Sequence, residues 1–180
     1  MTNVMFINGW GNALTSQSIA RMRNRMIQEF GDQIYAPPPV DYNDASTMLR
    51  YLDKWRDVQI LVPLSCGCTS INAIAAMRPN EVIPYVMYCS PSLPCGFGRT
   101  VVPKNVAKAT QVTSNAFDVF NPGGYKIIKA AAGTDPKRID VINSGARHGY
   151  TPDSPLAQAR LIAEIKATLT GRINPNRKGK

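Results

Sequence analysis

The sequence predicts an α/β protein, a three-layer sandwich with helices on both faces of a mostly parallel sheet of about six strands. Three observations predict it. Apolar runs bounded by turn residues recur along the chain, and segments with helical periodicity alternate with them. The chain, at 180 residues, is also long enough to bury a core, and no Ser/Gly-rich linker or internal repeat divides it. Residues 1–171 therefore read as one domain, and 172–180 as a basic, flexible tail.

The strands are predicted at 4–7, 33–36, 58–64, 82–88, 109–113 and 138–142. After the first, Ile19, Met22, Met26 and Phe30 recur at spacings of three and four, which places one apolar stripe on a helix over 16–30. Pro37, Pro38 and Pro39 then forbid regular structure. A second helix over 45–55 turns Met48, Leu52 and Trp55 inward, with Asp44 as its N-cap. The third, 66–77, has so little polar face that it is expected inside the fold. The last opens at Ser154-Pro155, a cap followed by proline at the first helical position, and is expected to bury Leu156, Ala159, Ile162, Ile165 and Leu169. The stretch 89–108, rich in Pro, Ser and Gly, is expected to be irregular and to border a site.

The formal charge of +9 points to affinity for acidic surfaces. Only residues 172–180 concentrate that charge, which predicts weak attraction through the tail, and no nucleic-acid motif accompanies it. No export signal or membrane anchor is visible, which predicts a cytoplasmic protein. Cys66, Cys68, Cys89 and Cys95 do not resemble a disulfide framework, so a reducing compartment is expected. Their spacing also lacks the paired Cys-x2-Cys pattern of zinc sites, so no metal is expected.

Ser65 stands where the strand at 58–64 meets the helix at 66–77. Such a corner lifts a hydroxyl off the backbone and sets it at a helix N-terminus, where unpaired N–H groups meet a developing negative charge. Small residues are wanted two before and two after; here they are Pro63 and Gly67. A serine nucleophile needs a base, and the chain's one histidine, His148, lies after the strand at 138–142, on the same predicted sheet edge. The carboxylate candidates are Asp118, Asp135, Asp140 and Asp153. Asp118 is chosen because it follows the strand at 109–113 on that edge. Oxyanion donors are expected from the main chain of Cys66, directly after the nucleophile, and of Trp10 in Asn8-Gly9-Trp10-Gly11. Moving the nucleophile to Cys66 would put Leu64 where a small residue is needed, so the Ser65 register fits better.

The order of Gly-Trp loop, serine elbow, aspartate and histidine resembles the α/β-hydrolase family over nearly the whole chain, from Val4 to about Leu169. The family's His-Gly-x falls on Asn8-Gly9-Trp10, its Gly-x-Ser-x-Gly elbow on Pro63-Leu64-Ser65-Cys66-Gly67, and its histidine loop on 144–148. The chain resembles the small, lidless members, including cutinase-like esterases and the compact serine hydrolases of similar length. The resemblance implies a minimal α/β-hydrolase fold without a lid domain and a shallow, open site. It also implies cleavage of a carboxylic ester, in a small molecule or an exposed polymer, through an acyl-enzyme on Ser65 with His148 as base and no cofactor. Other readings are an inactive binding or structural protein on the same fold, an acyltransferase or thioesterase using the same triad, and an acidic-polymer or nucleic-acid binder.

Overall fold

The computed structural model describes residues 1–10, 12–54, 59–91, 101–114 and 128–171. Its strands are β1 (Thr2–Asn8), β2 (Ile34–Tyr35), β3 (Val40–Asp41), β4 (Gln59–Pro63), β5 (Ile83–Cys89), β6 (Val101–Val102), β7 (Val106–Thr113), β8 (Lys129–Ala130) and β9 (Ile139–Asn143). The main sheet is parallel throughout, in the order β2-β1-β4-β5-β7-β9. Both β2 and β3 pair with β1, the first at Thr2 and Asn3, the second at Ile7 and Asn8. They form one lateral position interrupted by Pro37, Pro38 and Pro39, which have no N–H to give a ladder. Seven strands thus fill six places, in agreement with the predicted number.

The strand side chains alternate between two apolar layers. Val4, Phe6, Ile60, Val62 and Tyr85 pack on one face against α1 (Asn12–Phe30) and α4 (Pro155–Leu169). Met5, Ile7, Leu61 and Val86 pack on the other against α2 (Ala45–Lys54) and α3 (Gly67–Met77). Ile19, Met22, Met26 and Phe30 of α1 are buried as their spacing predicts. Asp44 caps α2 by accepting the Thr47 N–H at 3.0 Å, and this bond holds its carboxyl below the usual carboxylate range.

Three expectations are corrected. On α4 the buried side chains are Ala157, Leu161, Glu164, Ile165 and Thr168, whereas Leu156 and Ala159 are exposed. The stripe is rotated because Glu164 goes inward, where Lys108 meets it at 2.6 Å and Arg160 at 3.2 Å. One flank of α3 is open, with Asn72, Ala73, Ala76 and Met77 exposed. The stretch 89–108 is not irregular throughout: it holds β6, paired with β8 in a small second sheet, and the start of β7. Arg138 organises that region by donating to the carbonyls of Val102, Pro103, Lys104 and Val106.

The chain runs from β1 outward to β2 and β3, then returns to the other side of β1 as β4 and continues to β9. The direction of winding therefore changes between β1 and β4. In an open parallel sheet, the C-terminal ends of two such strands diverge and leave a crevice. Asn8-Gly9-Trp10 leaves one side of it and Ser65 the other.

Candidate active site

Ser65 has a φ of 52°, in the left-handed region that side chains other than glycine seldom adopt. Such a conformation costs an L-residue roughly 1–2 kcal/mol. Hydrogen bonds on both sides hold it: Leu64 N–H donates to Ile7 at 2.9 Å, and Ser65 N–H donates to Cys89 at 2.9 Å. The N–H groups of Gly67, Cys68 and Thr69 then bond back to Leu64, Ser65 and Cys66, closing the first turn of α3. The strand-to-helix corner predicted from the sequence is present.

Pro63 does not prevent it. Leu64 N–H faces β1 and Ser65 N–H faces β5, so strand alternation turns the Pro63 nitrogen toward β5. On that side the ladder pairs Ile60 with Tyr85 and Leu61 with Val86, lapses, and resumes as a bridge between Leu64 and Cys89. The missing donor falls in the lapse. The Pro63 carbonyl is served by the Cys68 thiol at 3.7 Å.

Two glycines let the corner close on its neighbours. A Cβ on Gly67 would lie 2.8 Å from the Asn8 carbonyl oxygen, and one on Gly9 would lie 2.7 Å from the Ser65 Cβ. Gly9 brings the loop after β1 directly against the nucleophile candidate. Trp10, next in that loop, keeps its indole 65% exposed, so it is not an ordinary packed aromatic.

His148 begins a 3-10 turn, His148–Asp153, between β9 and α4. Its Nε2 stands 2.7 Å from Ser65 Oγ, joining residues 83 positions apart. The loop before it is braced by Ser144, whose hydroxyl donates to the Thr113 carbonyl at 2.7 Å and accepts the Ala146 N–H at 3.1 Å. Ser65 is 5% exposed and His148 8%, so both residues of the pair are buried.

Three of the four carboxylate candidates are engaged elsewhere. Asp135 caps a short 3-10 turn through the Lys137 N–H, Asp140 pairs with Arg160 at 3.1 Å, and Asp153 pairs with Arg21. Asp118 lies outside the described residues, as does the tail at 172–180.

The expectation of four free thiols does not hold: Cys66 is disulfide-bonded. A disulfide belongs more often to an oxidising than to a reducing environment, which weighs against the predicted compartment. Sequence spacing could not reveal it, since a bridge depends on tertiary proximity. It also removes the Cys66 thiol as a rival nucleophile. Cys68 and Cys89 are free and buried, and burial pushes both thiols upward in pKa. Cys95 lies outside the described residues.

Two features escaped the sequence reading. Asn8 donates from Nδ2 to Asp41 Oδ1 at 3.1 Å across the β1–β3 pair, which fixes the root of the Gly9 loop. A polar side chain ending a buried strand was the available signal. Ser90, at the end of β5, is the second left-handed residue other than glycine, at φ 45°, and its buried hydroxyl makes no hydrogen bond. No sequence signal marks it.

Among the described residues, no group of three or more His, Cys, Asp or Glu could hold a metal ion, and no helix is long and apolar enough to cross a membrane. No protein-family model matches the chain, and no curated protein matches it.

Proposed function

We propose that the chain is a serine hydrolase of the α/β-hydrolase type that cleaves carboxylic esters through an acyl-enzyme. The observation that carries this reading is the 2.7 Å contact between Ser65 Oγ and His148 Nε2, made from a left-handed corner at the switch point of a parallel sheet. A strained, buried serine bonded to the chain's one histidine is hard to account for as packing alone.

In this reading, Ser65 Oγ attacks the ester carbonyl while His148 Nε2 takes its proton. The negative charge that develops on the carbonyl oxygen is met by the main-chain N–H groups of Cys66, at the N-terminus of α3, and of Trp10. When the tetrahedral intermediate collapses, His148 returns the proton to the departing alcohol. Water then repeats the sequence on the acyl-Ser65 ester and releases the acid. Asp118 is the carboxylate that orients the imidazole, a choice supported by the engagement of Asp135, Asp140 and Asp153 elsewhere. No cofactor takes part. The substrate is a small ester or an ester exposed on a polymer, and a p-nitrophenyl ester series from acetate to dodecanoate would define its acyl length.

A fluorophosphonate probe tests the reading. We expect stoichiometric labelling of the wild-type protein, lost in Ser65→Ala and reduced by about three orders of magnitude in His148→Ala. Labelling that survives Ser65→Ala, or none in the wild type, would sink it.

A further inference from the structure

The 3-10 turn that begins with His148 is tied to α1 at two points. Near its start, the Ser18 hydroxyl donates to the Gly149 carbonyl at 2.5 Å. At its end, the Arg21 guanidinium forks onto the Asp153 carboxylate, with Nε 2.9 Å from Oδ1 and Nη2 2.6 Å from Oδ2. Ser18 and Arg21 are three residues apart, on one side of the helix, so a single rigid face of α1 grips both ends of the turn.

We propose that Arg21 and Ser18 are positioning residues that place His148 against Ser65 by holding the turn His148–Asp153 on α1. The inference rests on the hydrolase reading above and assigns to the first helix the alignment of the base.

Exposure separates alignment from mere stability. The Arg21 and Asp153 side chains are 49% and 28% exposed, and an ion pair so well solvated contributes little to folding. Its geometry is nonetheless specific: two parallel N–H···O bonds fix both distance and plane, which a lysine cannot reproduce. The carboxylate in turn favours the charged guanidinium, raising the Arg21 pKa. Ser18, which is itself buried, adds a second bond. The turn between these ties is a single run of 3-10 geometry containing Pro152, and among the described residues α4 adds one side-chain bond to it, Gln158 donating to the Pro152 carbonyl at 3.3 Å. Proton transfer from Ser65 depends on a 2.7 Å contact, and a displacement of about 1 Å at such a contact lowers a rate by up to about a hundredfold.

The test uses Arg21→Ala, the isosteric Asp153→Asn, their double variant, and Arg21→Lys, each as the full chain. Fluorophosphonate acylation rates are measured beside thermal midpoints. Because the chain has one histidine, its imidazole resonances report on His148 alone, whether or not the protein is active. We expect Arg21→Ala and Asp153→Asn each to acylate about tenfold more slowly with an unchanged KM for a p-nitrophenyl ester. Midpoints should stay close to wild type and the His148 ring resonance should be displaced. The double variant should be no slower than the slower single one, since both remove the same tie. Arg21→Lys should fall between Arg21→Ala and wild type.

Wild-type acylation rates in both single variants would overturn the inference. A rate loss that merely tracks a fall in the thermal midpoint, with the His148 resonance in place, would also overturn it. Should the wild-type protein take no label, the hydrolase reading fails by itself. The positioning claim is then decided by the His148 signal, displaced in Asp153→Asn if correct and unmoved if not.

Discussion

At the scale of single residues, the site depends on atoms that are absent. Gly9 and Gly67 have no Cβ because the Ser65 Cβ and the Asn8 carbonyl occupy the places those atoms would take. An alanine at either position forces backbone to move, and overpacking of this kind costs about 1–3 kcal/mol. We therefore expect Gly9→Ala and Gly67→Ala to be less stable by that amount and to slow acylation of Ser65 at least about tenfold. Gly133 is the control, since its φ of +78° strains an alanine while no atom lies within 4 Å of the added carbon. Gly133→Ala should lose about 1 kcal/mol of stability and no acylation rate. Equal acylation in all three would count against a corner held by close packing. The sequence identified Gly67 through the elbow pattern and Gly9 through its loop, and both were legible because glycine marks close approach. The disulfide at Cys66, the orphaned hydroxyl of Ser90 and the fork between Arg21 and Asp153 were not legible, since each depends on chain segments brought together only by folding.

Among the elements, periodicity located the helices better than it oriented them. The stripe on α1 is where Ile19, Met22, Met26 and Phe30 put it, because every member is apolar and the opposite face is charged. On α4, apolar residues occur on more than one face and the inward face includes Glu164 and Thr168, so counting hydrophobic side chains placed Ile162, Ile165 and Leu169 against the core but Leu156 and Ala159 wrongly there. The burial of Glu164 is accounted for by Lys108 and Arg160, which lie on β7 and one turn back on α4. A pair of truncations separates the two assignments. Leu161→Ala should cost about 2–5 kcal/mol in denaturant unfolding, as expected for a fully buried leucine, while Leu156→Ala should stay within about 0.5 kcal/mol. The reverse order would restore the stripe read from the sequence. β1, β4 and β5 were legible because their buried stretches are nearly continuous apolar runs. β3 and the small sheet of β6 and β8 were not, whereas β2, equally short, falls within the strand read at 33–36.

For the molecule as a whole, the buried ionisable groups set a direction for stability with pH. Burial raises the pKa of the Cys68 and Cys89 thiols and of the Tyr85 and Tyr88 phenols. In the unfolded chain these groups titrate near their ordinary values, about 8.5 for thiols and 10 for phenols. Below about pH 8.5 both states keep all four protons, and the contribution is fully present. As pH rises further, the unfolded chain releases protons that the folded chain retains, so the folded state loses ground toward the raised values. We expect the urea midpoint to hold between pH 7 and 8, decline above about pH 8.5 and fall more steeply above about pH 10. In Tyr85→Phe the steep part should be shallower. A midpoint unchanged from pH 8 to 10.5 would contradict the burial of these groups.

The three prolines between β2 and β3 have an effect beyond dividing a strand. An outermost strand presents unused donors and acceptors to solvent, and a second molecule can add itself there and begin an aggregate. Pro37, Pro38 and Pro39 offer no donor along this border, and the acceptors of Ala36 and Pro37 are already taken by the Arg23 side chain, each at 2.8 Å. The interruption that shortens the sheet on this side also removes donors and acceptors that a neighbouring copy would need to add a strand there.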